Sequence, residues 1–291
     1  MAGRGLVTGG EWCSVPTMRT NRWVPWLLAL TILLALWGPF VRSVVHDLPF
    51  GFHAWKQADC LALAQRYLED DNWNLLVSRT QNLIPVDARV NAELPLVPYL
   101  AAVLARVLGR SHLAAIFRLL TVLFAALAPL GIFGLVWGTR GVPESVLATV
   151  FVAACPVLVY YGAGFHPDPP AFGVSILGLS LVLGWRPDRP PGDATVSLGI
   201  SLMGLGGLLK MSMAPYLAVP AVLLLHRARR RGPDHGLAAA IHRLPRRPVI
   251  ALAAAFTLCV AQVVALRTVA AAYHSPLFTA DLHPFRSFAD L

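Results

Sequence analysis

Residues 23–41 read WVPWLLALTILLALWGPFV and contain no charged side chain. A helix of about 20 apolar residues is long enough to cross the roughly 30 Å hydrocarbon core of a bilayer. Because lipid offers the backbone no hydrogen-bond partner, an uncharged run of this length predicts a transmembrane helix. The run lacks a convincing small-residue cleavage site, so we expect it to be retained as the first span and not removed as a signal peptide.

Further uncharged runs follow along the chain. Three of them are about as long as the first, at residues 119–139, 145–165 and 248–266. Three shorter ones lie at residues 169–185, 194–209 and 211–225. The composition agrees, because 56% of the residues are hydrophobic and 13% are charged, against about 25% charged in a soluble domain. The sequence therefore predicts an all-α fold, a polytopic bundle of transmembrane helices.

The net charge of +9 comes largely from arginines that flank the apolar runs. Arginine collects in the short cytoplasmic loops of membrane proteins. The excess of basic residues therefore indicates which loops are cytoplasmic, and we expect no nucleic-acid partner. Arg4, Arg19 and Arg22 precede the first run and predict a cytoplasmic N-terminus, and residues 226–247 form an arginine-rich second cytoplasmic segment. The chain is thus predicted to be a multi-pass protein of the plasma (inner) membrane.

The runs divide the chain into five parts. We expect a cytoplasmic tail at 1–22, a first span at 23–41, an extracytoplasmic loop at 42–94, a multi-span region at 95–272 and an extracytoplasmic tail at 273–291. Membrane crossings can be counted forward from the cytoplasmic N-terminus and backward from the cytoplasmic segment 226–247. The two counts disagree by one crossing in the stretch between residues 94 and 165. Either residues 94–108 lie in the interface, or residues 145–165 form a short broken hairpin.

The long loop contains a segment with helical spacing at 58–68. Its residues Leu61, Ala64, Tyr67 and Leu68 share one face. An amphipathic pattern of this kind is typical of a helix that lies in the membrane interface, so the loop is predicted to contain short interfacial helices.

Three acidic residues lie at membrane boundaries. Asp59 begins the amphipathic segment, Glu93 precedes an apolar stretch and Asp168 lies between two apolar runs. Ionisable groups at such depths are costly and commonly functional, and a carboxylate there could act as a general base or bind a divalent cation. Each has a structural alternative: a helix N-cap for Asp59, the end of a solvated loop for Glu93 and a turn for Asp168.

Other polar and aromatic residues join these candidates. Lys210, one of only two lysines, lies between two apolar runs, and could either anchor at the interface or bind phosphate. Trp55 and Gln57, together with His53, would suit a sugar or a lipid headgroup, although interfacial Trp is also common without a function. His53 and His166 are candidate nitrogen ligands for a metal.

Loose motifs occur in a consistent order between about residues 20 and 225. They are Trp55-Lys56-Gln57-Ala58-Asp59 before the amphipathic segment, Glu93-Leu94-Pro95 before an apolar stretch that ends at Leu108-Gly109, Arg118-Leu119 at the start of a span, Tyr160-Tyr161 before Asp168-Pro169-Pro170, and Lys210 before Ala214-Pro215. In this order they resemble the GT-C-type membrane glycosyltransferases that use polyprenyl-phosphate sugars, the superfamily of protein mannosyltransferases and aminoarabinose transferases.

The resemblance implies an inverting glycosyltransferase that moves a sugar from a polyprenyl-phosphate donor to a lipid, glycan or protein acceptor on the extracytoplasmic face. It implies that Asp59 is the catalytic base, that Glu93 and Asp168 shape the site, with a divalent cation as a candidate cofactor, and that Lys210 holds the donor phosphate. With the candidates above, the expected substrate-binding residues are Trp55, Gln57, Glu93, Asp168 and Lys210, and the candidate metal ligands are Glu93, His166 and Asp168.

Two alternative functions follow from other features. A transporter or flippase would show an internal repeat with paired broken helices, and the sequence has no clear repeat. An inactive scaffold is favoured by the position of Leu291 soon after the last apolar run. Members of the family extend further, so we expect a truncated product, a fragment or a degenerate paralogue.

Overall fold

The computed structural model describes residues 23–51, 53–69, 75, 93–184, 190–230 and 237–273. The predicted tails, with Arg4, Arg19 and Arg22, and most of the loop between 70 and 92 lie outside these residues. All regular structure in the described residues is helical, which confirms the all-α prediction. The helices are α1 (Val24–Val44), α2 (Ala54–Glu69), α3 (Leu96–Leu108), α4 (Leu113–Ala125), α5 (Leu127–Thr139), α6 (Val142–Ala153), α7 (Pro156–Gly162), α8 (Asp168–Leu183), α9 (Asp193–Leu209), α10 (Ala218–Arg230), α11 (Leu237–His242) and α12 (Arg246–Tyr273).

Several helical segments are long and apolar enough to cross a membrane. In the described part of the chain there are four, namely Val24–Val44, Arg110–Thr139, Met211–Arg230 and Arg246–Thr268. The pair α6 and α7 is a fifth if it counts as one span; it is bent by 62° where Pro156 lacks an N–H and cannot continue the preceding helix. The structure thus supports the prediction of a multi-pass membrane protein. Helices α3, α8 and α9 are apolar but shorter.

Helix α2 forms where the amphipathic segment was predicted, but it starts earlier, at Ala54. Asp59 therefore lies in the second turn, and the interpretation of Asp59 as a helix N-cap is wrong. The predicted apolar face is buried, with Ala64 fully inaccessible. This face packs against α3 and α4, including Val97 and Phe117, so protein side chains cover it.

Ring contacts and hydrogen bonds give the relative directions of the helices. Trp26, near the start of α1, contacts Phe133 in the middle of α5 and Trp137 near its end. At the other end of α1, the carbonyl of Asp47 accepts a hydrogen bond from Arg118 of α4. The α4–α5 segment therefore runs antiparallel to α1.

Helices α8 and α9 are the most extensively packed pair, and glycines allow their close approach. A Cβ at Gly178 would lie 2.5 Å from the carbonyl oxygen of Gly199, and one at Gly206 would lie 2.0 Å from Ser175 Oγ. Small residues let helix backbones pack this closely in membrane proteins. Because the pair is antiparallel, the first residue of α8, Asp168, and the residue after α9, Lys210, lie at the same end of the bundle.

The opposite end of α8 meets the arginine-rich segment. Arg227 of α10 donates to the carbonyl of Val182 at 2.9 Å, which satisfies an oxygen in the last turn of α8 that has no partner within its own helix. We call the end with Asp168 and Lys210 the site end, and the end with Val182 and Arg227 the arginine end.

Candidate functional site

Lys210 joins two of the predicted acidic residues. Its Nζ lies 3.3 Å from Glu93 Oε2 and 3.6 Å from Asp168 Oδ1. The Lys210 and Glu93 side chains are each about a quarter exposed, and that of Asp168 is 46% exposed. The structure therefore brings together three residues that are far apart in sequence.

Backbone groups fasten Glu93 to the end of α9. The N–H of Met211 donates to Glu93 Oε1 at 3.1 Å, and the N–H of Leu94 donates to the carbonyl of Leu208 at 3.0 Å. The Leu208 carbonyl belongs to the last turn of α9, where helix carbonyls need outside donors. Glu93 thus closes the long loop onto α9, and it does not simply end a solvated segment.

Asp168 has a second partner in His166. Its Oδ2 lies 3.4 Å from His166 Nδ1, while its Oδ1 faces Lys210. As the first residue of α8, its carboxylate also lies at the helix N-terminus, where the helix dipole stabilises negative charge. Asp168 therefore connects a cation on one side to an imidazole on the other, which is more than the predicted turn requires.

Asp59 lies on α2, whereas the described ion pairs of Lys210 are with Glu93 and Asp168. Partial burial raises the pKa of the Asp59 carboxyl above its ordinary value of 3.8, and the charge of Lys56 opposes that rise. Burial raises the pKa of the neighbouring Cys60 thiol to about 12, with Asp59, Asp168 and Glu93 acting in the same direction. Cys60 is therefore within electrostatic range of all three carboxylates.

A small open pocket separates α2 from the start of α3. Its lining includes Lys56, Cys60, Glu93, Phe117 and Leu209. The walls are mainly apolar, with one cation and one carboxylate among them, and Asp59 directly precedes one of the lining residues. At about 50 Å³ the pocket is far smaller than the roughly 300–1,000 Å³ of a typical small-molecule site, so it can take up one group of a ligand and not a whole one.

The two predicted substrate-binding residues on α2 differ in exposure. Trp55 is 61% exposed, whereas Gln57 is 3% exposed. The Gln57 amide donates to the carbonyl of Phe50 at 3.0 Å, so Gln57 holds the segment that leads into α2. Only Trp55 of the two lies open to a ligand in this structure.

The sequence does not predict the structural role of Arg118. It is 1% exposed, and its guanidinium donates to the carbonyls of Ala163, Asp47 and Leu48. It also lies 4.3 Å from the centroid of the Phe165 ring. An arginine inside an otherwise apolar stretch was the available signal, since a buried cation needs several partners.

The described residues do not form a ready divalent-cation site. No three His, Cys, Asp or Glu side chains among them are grouped as metal ligands, and Glu93 and Asp168 both pair with the ammonium group of Lys210. We therefore derive no step through a metal, and the candidate ligands Glu93, His166 and Asp168 stay a prediction of the resemblance.

Comparisons of the chain with models of protein families, with curated proteins and with solved structures find no match. The fold and the site define a multi-pass helical membrane protein with a charged site at one end of its bundle. Any narrower statement of function depends on the geometry of that site.

Proposed function

We propose that the chain is a membrane glycosyltransferase that moves a sugar from a polyprenyl-phosphate donor to a lipid, glycan or protein acceptor outside the cytoplasm. The observation that carries the proposal is the convergence of Glu93, Asp168 and Lys210 at one end of the bundle, close to the turn of α2 that bears Asp59. Groups of this kind are costly at membrane depth and are rarely kept without a function.

The directions of the helices support an extracytoplasmic site. The arginine end of the bundle lies opposite the site end, and arginine-rich loops favour the cytoplasm. With the N-terminus inside, α1 then leads outward and α4–α5 returns inward, because the two are antiparallel. Both ends of α3 would lie at the site end, so α3 would be an interfacial helix. With α3 in the interface and not across the membrane, the two counts of crossings between residues 94 and 165 agree.

The apolar walls of the pocket and the neighbouring Lys210 offer the donor both apolar and ionic contacts. A prenyl chain would lie in the bilayer against the apolar walls, and its phosphate would reach the ammonium groups of Lys210 and Lys56. These are the only two lysines of the chain, and a lysine binds phosphate as a compact point charge. Glu93 and Asp168 hold Lys210 in place until the phosphate arrives.

Asp59 would act as the base of a single inverting displacement. Its carboxylate takes the proton of the acceptor hydroxyl while that oxygen attacks the anomeric carbon. The bond between the carbon and the phosphate oxygen breaks, and its electron pair leaves with the polyprenyl phosphate, whose charge the lysines stabilise. A pKa raised by partial burial makes this carboxylate a stronger base than a fully solvated one.

The test is sugar transfer by the purified chain in proteoliposomes. Radiolabelled polyprenyl-phosphate sugars are supplied with native membranes as the source of acceptor. Asp59→Asn keeps the shape of the side chain and removes the base, so transfer should fall by about 10²- to 10⁴-fold. The control is Asp193→Asn, the same substitution at an exposed acid that begins α9 at the arginine end, and it should leave transfer unchanged.

Two results would count against the proposal. Equal transfer by the wild type and by Asp59→Asn refutes the assignment of the base. Failure of the folded wild type to transfer any of a panel of polyprenyl-phosphate hexoses and pentoses refutes the activity itself.

A further inference from the structure

The buried imidazole of His166 has a ring nitrogen without a hydrogen-bond partner among the described residues. The residue is 6% exposed, its Nδ1 lies 3.4 Å from Asp168 Oδ2, and its Nε2 has no hydrogen-bond partner among the described residues. Buried polar atoms nearly always have a partner, because leaving one without costs a desolvation penalty. Nε2 is therefore a place where a ligand atom is expected.

The carboxylate of Asp168 determines which kind of atom fits. A carboxylate accepts hydrogen bonds, so the ring hydrogen of the neutral imidazole lies on Nδ1, and Nε2 presents a lone pair. A lone pair in a buried position requires a donor. The partner of Nε2 is thus an O–H or N–H group of the ligand.

Two aromatic rings lie beside the His166 ring. The Tyr161 ring meets the His166 ring nearly edge-to-face, with centroids 5.1 Å apart, and the His53 ring lies 6.0 Å away. The Tyr161 hydroxyl is 3.0 Å from His53 Nδ1. Rings with hydrogen-bonding edges suit a sugar, which has both C–H faces and hydroxyl groups.

The backbone holds His53 in place at some conformational cost. His53 has φ of +58°, a left-handed conformation that is uncommon for residues other than glycine. Strained residues of this kind concentrate at functional sites. His53 directly precedes α2, and its ring contacts those of Tyr161 and His166.

Asp168 links these rings to the proposed phosphate position. One of its oxygens faces His166 and the other faces Lys210. We propose that His53, Tyr161 and His166 form a subsite for the sugar ring of the donor, in which His166 Nε2 accepts a hydrogen bond from one sugar hydroxyl. The inference depends on the proposed function, because Lys210 then binds the phosphate next to that sugar.

The test measures binding without transfer. A radiolabelled short-chain polyprenyl phosphate is bound to the purified chain in detergent, and is displaced by the same unlabelled lipid or by that lipid carrying mannose, glucose, galactose or arabinose. In the wild type at least one sugar should improve displacement. His166→Phe keeps a ring but removes the acceptor, so it should bind that sugar lipid about tenfold more weakly and the sugar-free lipid equally well.

Two matched variants separate the hydrogen bond from the change in shape. His166→Gln can place an amide oxygen near the position of Nε2, and it should retain part of the gain from the sugar. His112→Phe makes the same substitution at an exposed histidine away from the cluster, and should bind both lipids as the wild type does.

The inference also has a test that needs no variant. Among analogues of the preferred sugar lipid that each lack one hydroxyl, one should bind the wild type about tenfold more weakly than the parent. Three results would overturn the subsite and leave the phosphate site standing. They are equal binding of all analogues, a sugar that improves binding to His166→Phe as much as to the wild type, and no improvement in binding from any sugar. Failure of the sugar-free lipid to bind the wild type overturns the proposed function as well.

Discussion

The middle and the end of the α8–α9 pair differ in what they gain from close packing. In the middle, glycines bring the two backbones together, with Gly178 against Gly199, and the neighbouring side chains are buried. At the site end the same helices lead to Asp168 and Lys210, whose charged groups stay partly exposed beside a pocket. The difference indicates that the middle contributes stability and fixes positions, whereas the end keeps charged groups accessible, as the proposed function requires.

The largest effect on stability is expected from Gly178→Ala, in the middle of the pair. The added Cβ would lie 2.5 Å from the Gly199 carbonyl oxygen and 2.9 Å from Met203 Cγ. Backbone cannot yield as a flexible side chain can, so the free energy of unfolding should fall by about 1–3 kcal/mol. The measurement is the unfolding midpoint of the purified chain in detergent.

Gly192→Ala is the matched control for that substitution. Gly192 precedes α9 with φ of −68°, and a Cβ there would meet nothing within 4 Å. Its midpoint should equal that of the wild type. If both alanine variants unfold at the wild-type midpoint, glycine packing does not hold the pair together and the contrast with the site end fails.

A smaller effect on stability, but a large one on transfer, is expected from Lys210→Met at the end of the pair. The ion pairs are partly exposed, so their loss should cost about 1 kcal/mol. Transfer should fall by about 10²- to 10³-fold, as when one preorganised contact to a developing charge is removed. Unfolding midpoints and sugar transfer measured on the same preparation separate the two effects.

A double-mutant cycle with Glu93→Gln sharpens this prediction. If Lys210 and Glu93 interact as their 3.3 Å contact indicates, the two changes together should destabilise the protein by less than the sum of the single changes. Strict additivity in stability would show that the contact contributes nothing to the fold, and an unchanged transfer rate in Lys210→Met would remove the lysine from the proposed mechanism.

The sequence predicts the spans well because one physical rule governs them. An uncharged run must form a helix in lipid, and residues 23–41 lie almost entirely within α1. The 145–165 run was harder to interpret, since the same residues fit a straight span or a broken one. Composition alone does not give the 62° bend between α6 and α7.

The site is only partly readable from the sequence. Boundary charges singled out Glu93, Asp168 and Lys210, and the structure brings them together. Local patterns misplaced the start of α2, because helix spacing became visible only at Ala58 while the helix begins at Ala54. The three carbonyl partners of Arg118 come from two distant segments, and no local rule pairs such segments.

The smallest effect on stability is expected from Asp59→Asn, and it should have the opposite sign to the others. Partial burial raises the pKa of Asp59 above 3.8 in the folded state, so folding favours the protonated carboxyl. That contribution is complete below pH 3.8 and is lost as the pH rises through the folded-state pKa. At pH 7 the neutral Asn avoids the cost of burying a charge, so the unfolding midpoint of Asp59→Asn should slightly exceed that of the wild type.

The difference in unfolding midpoint between Asp59→Asn and the wild type should narrow as the pH falls below 3.8, because the carboxyl becomes increasingly protonated in both the folded and the unfolded state. The acid limb of wild-type transfer should lie above pH 3.8 for the same reason, and Lys56→Met should move that limb higher because Lys56 lowers the pKa of Asp59. A variant that is less stable than the wild type at pH 7, or a difference in midpoint that does not narrow below pH 3.8, would show that burial of this charge carries no cost. The site end would then not lose stability in exchange for a more basic Asp59, and this difference from the middle of the α8–α9 pair would disappear.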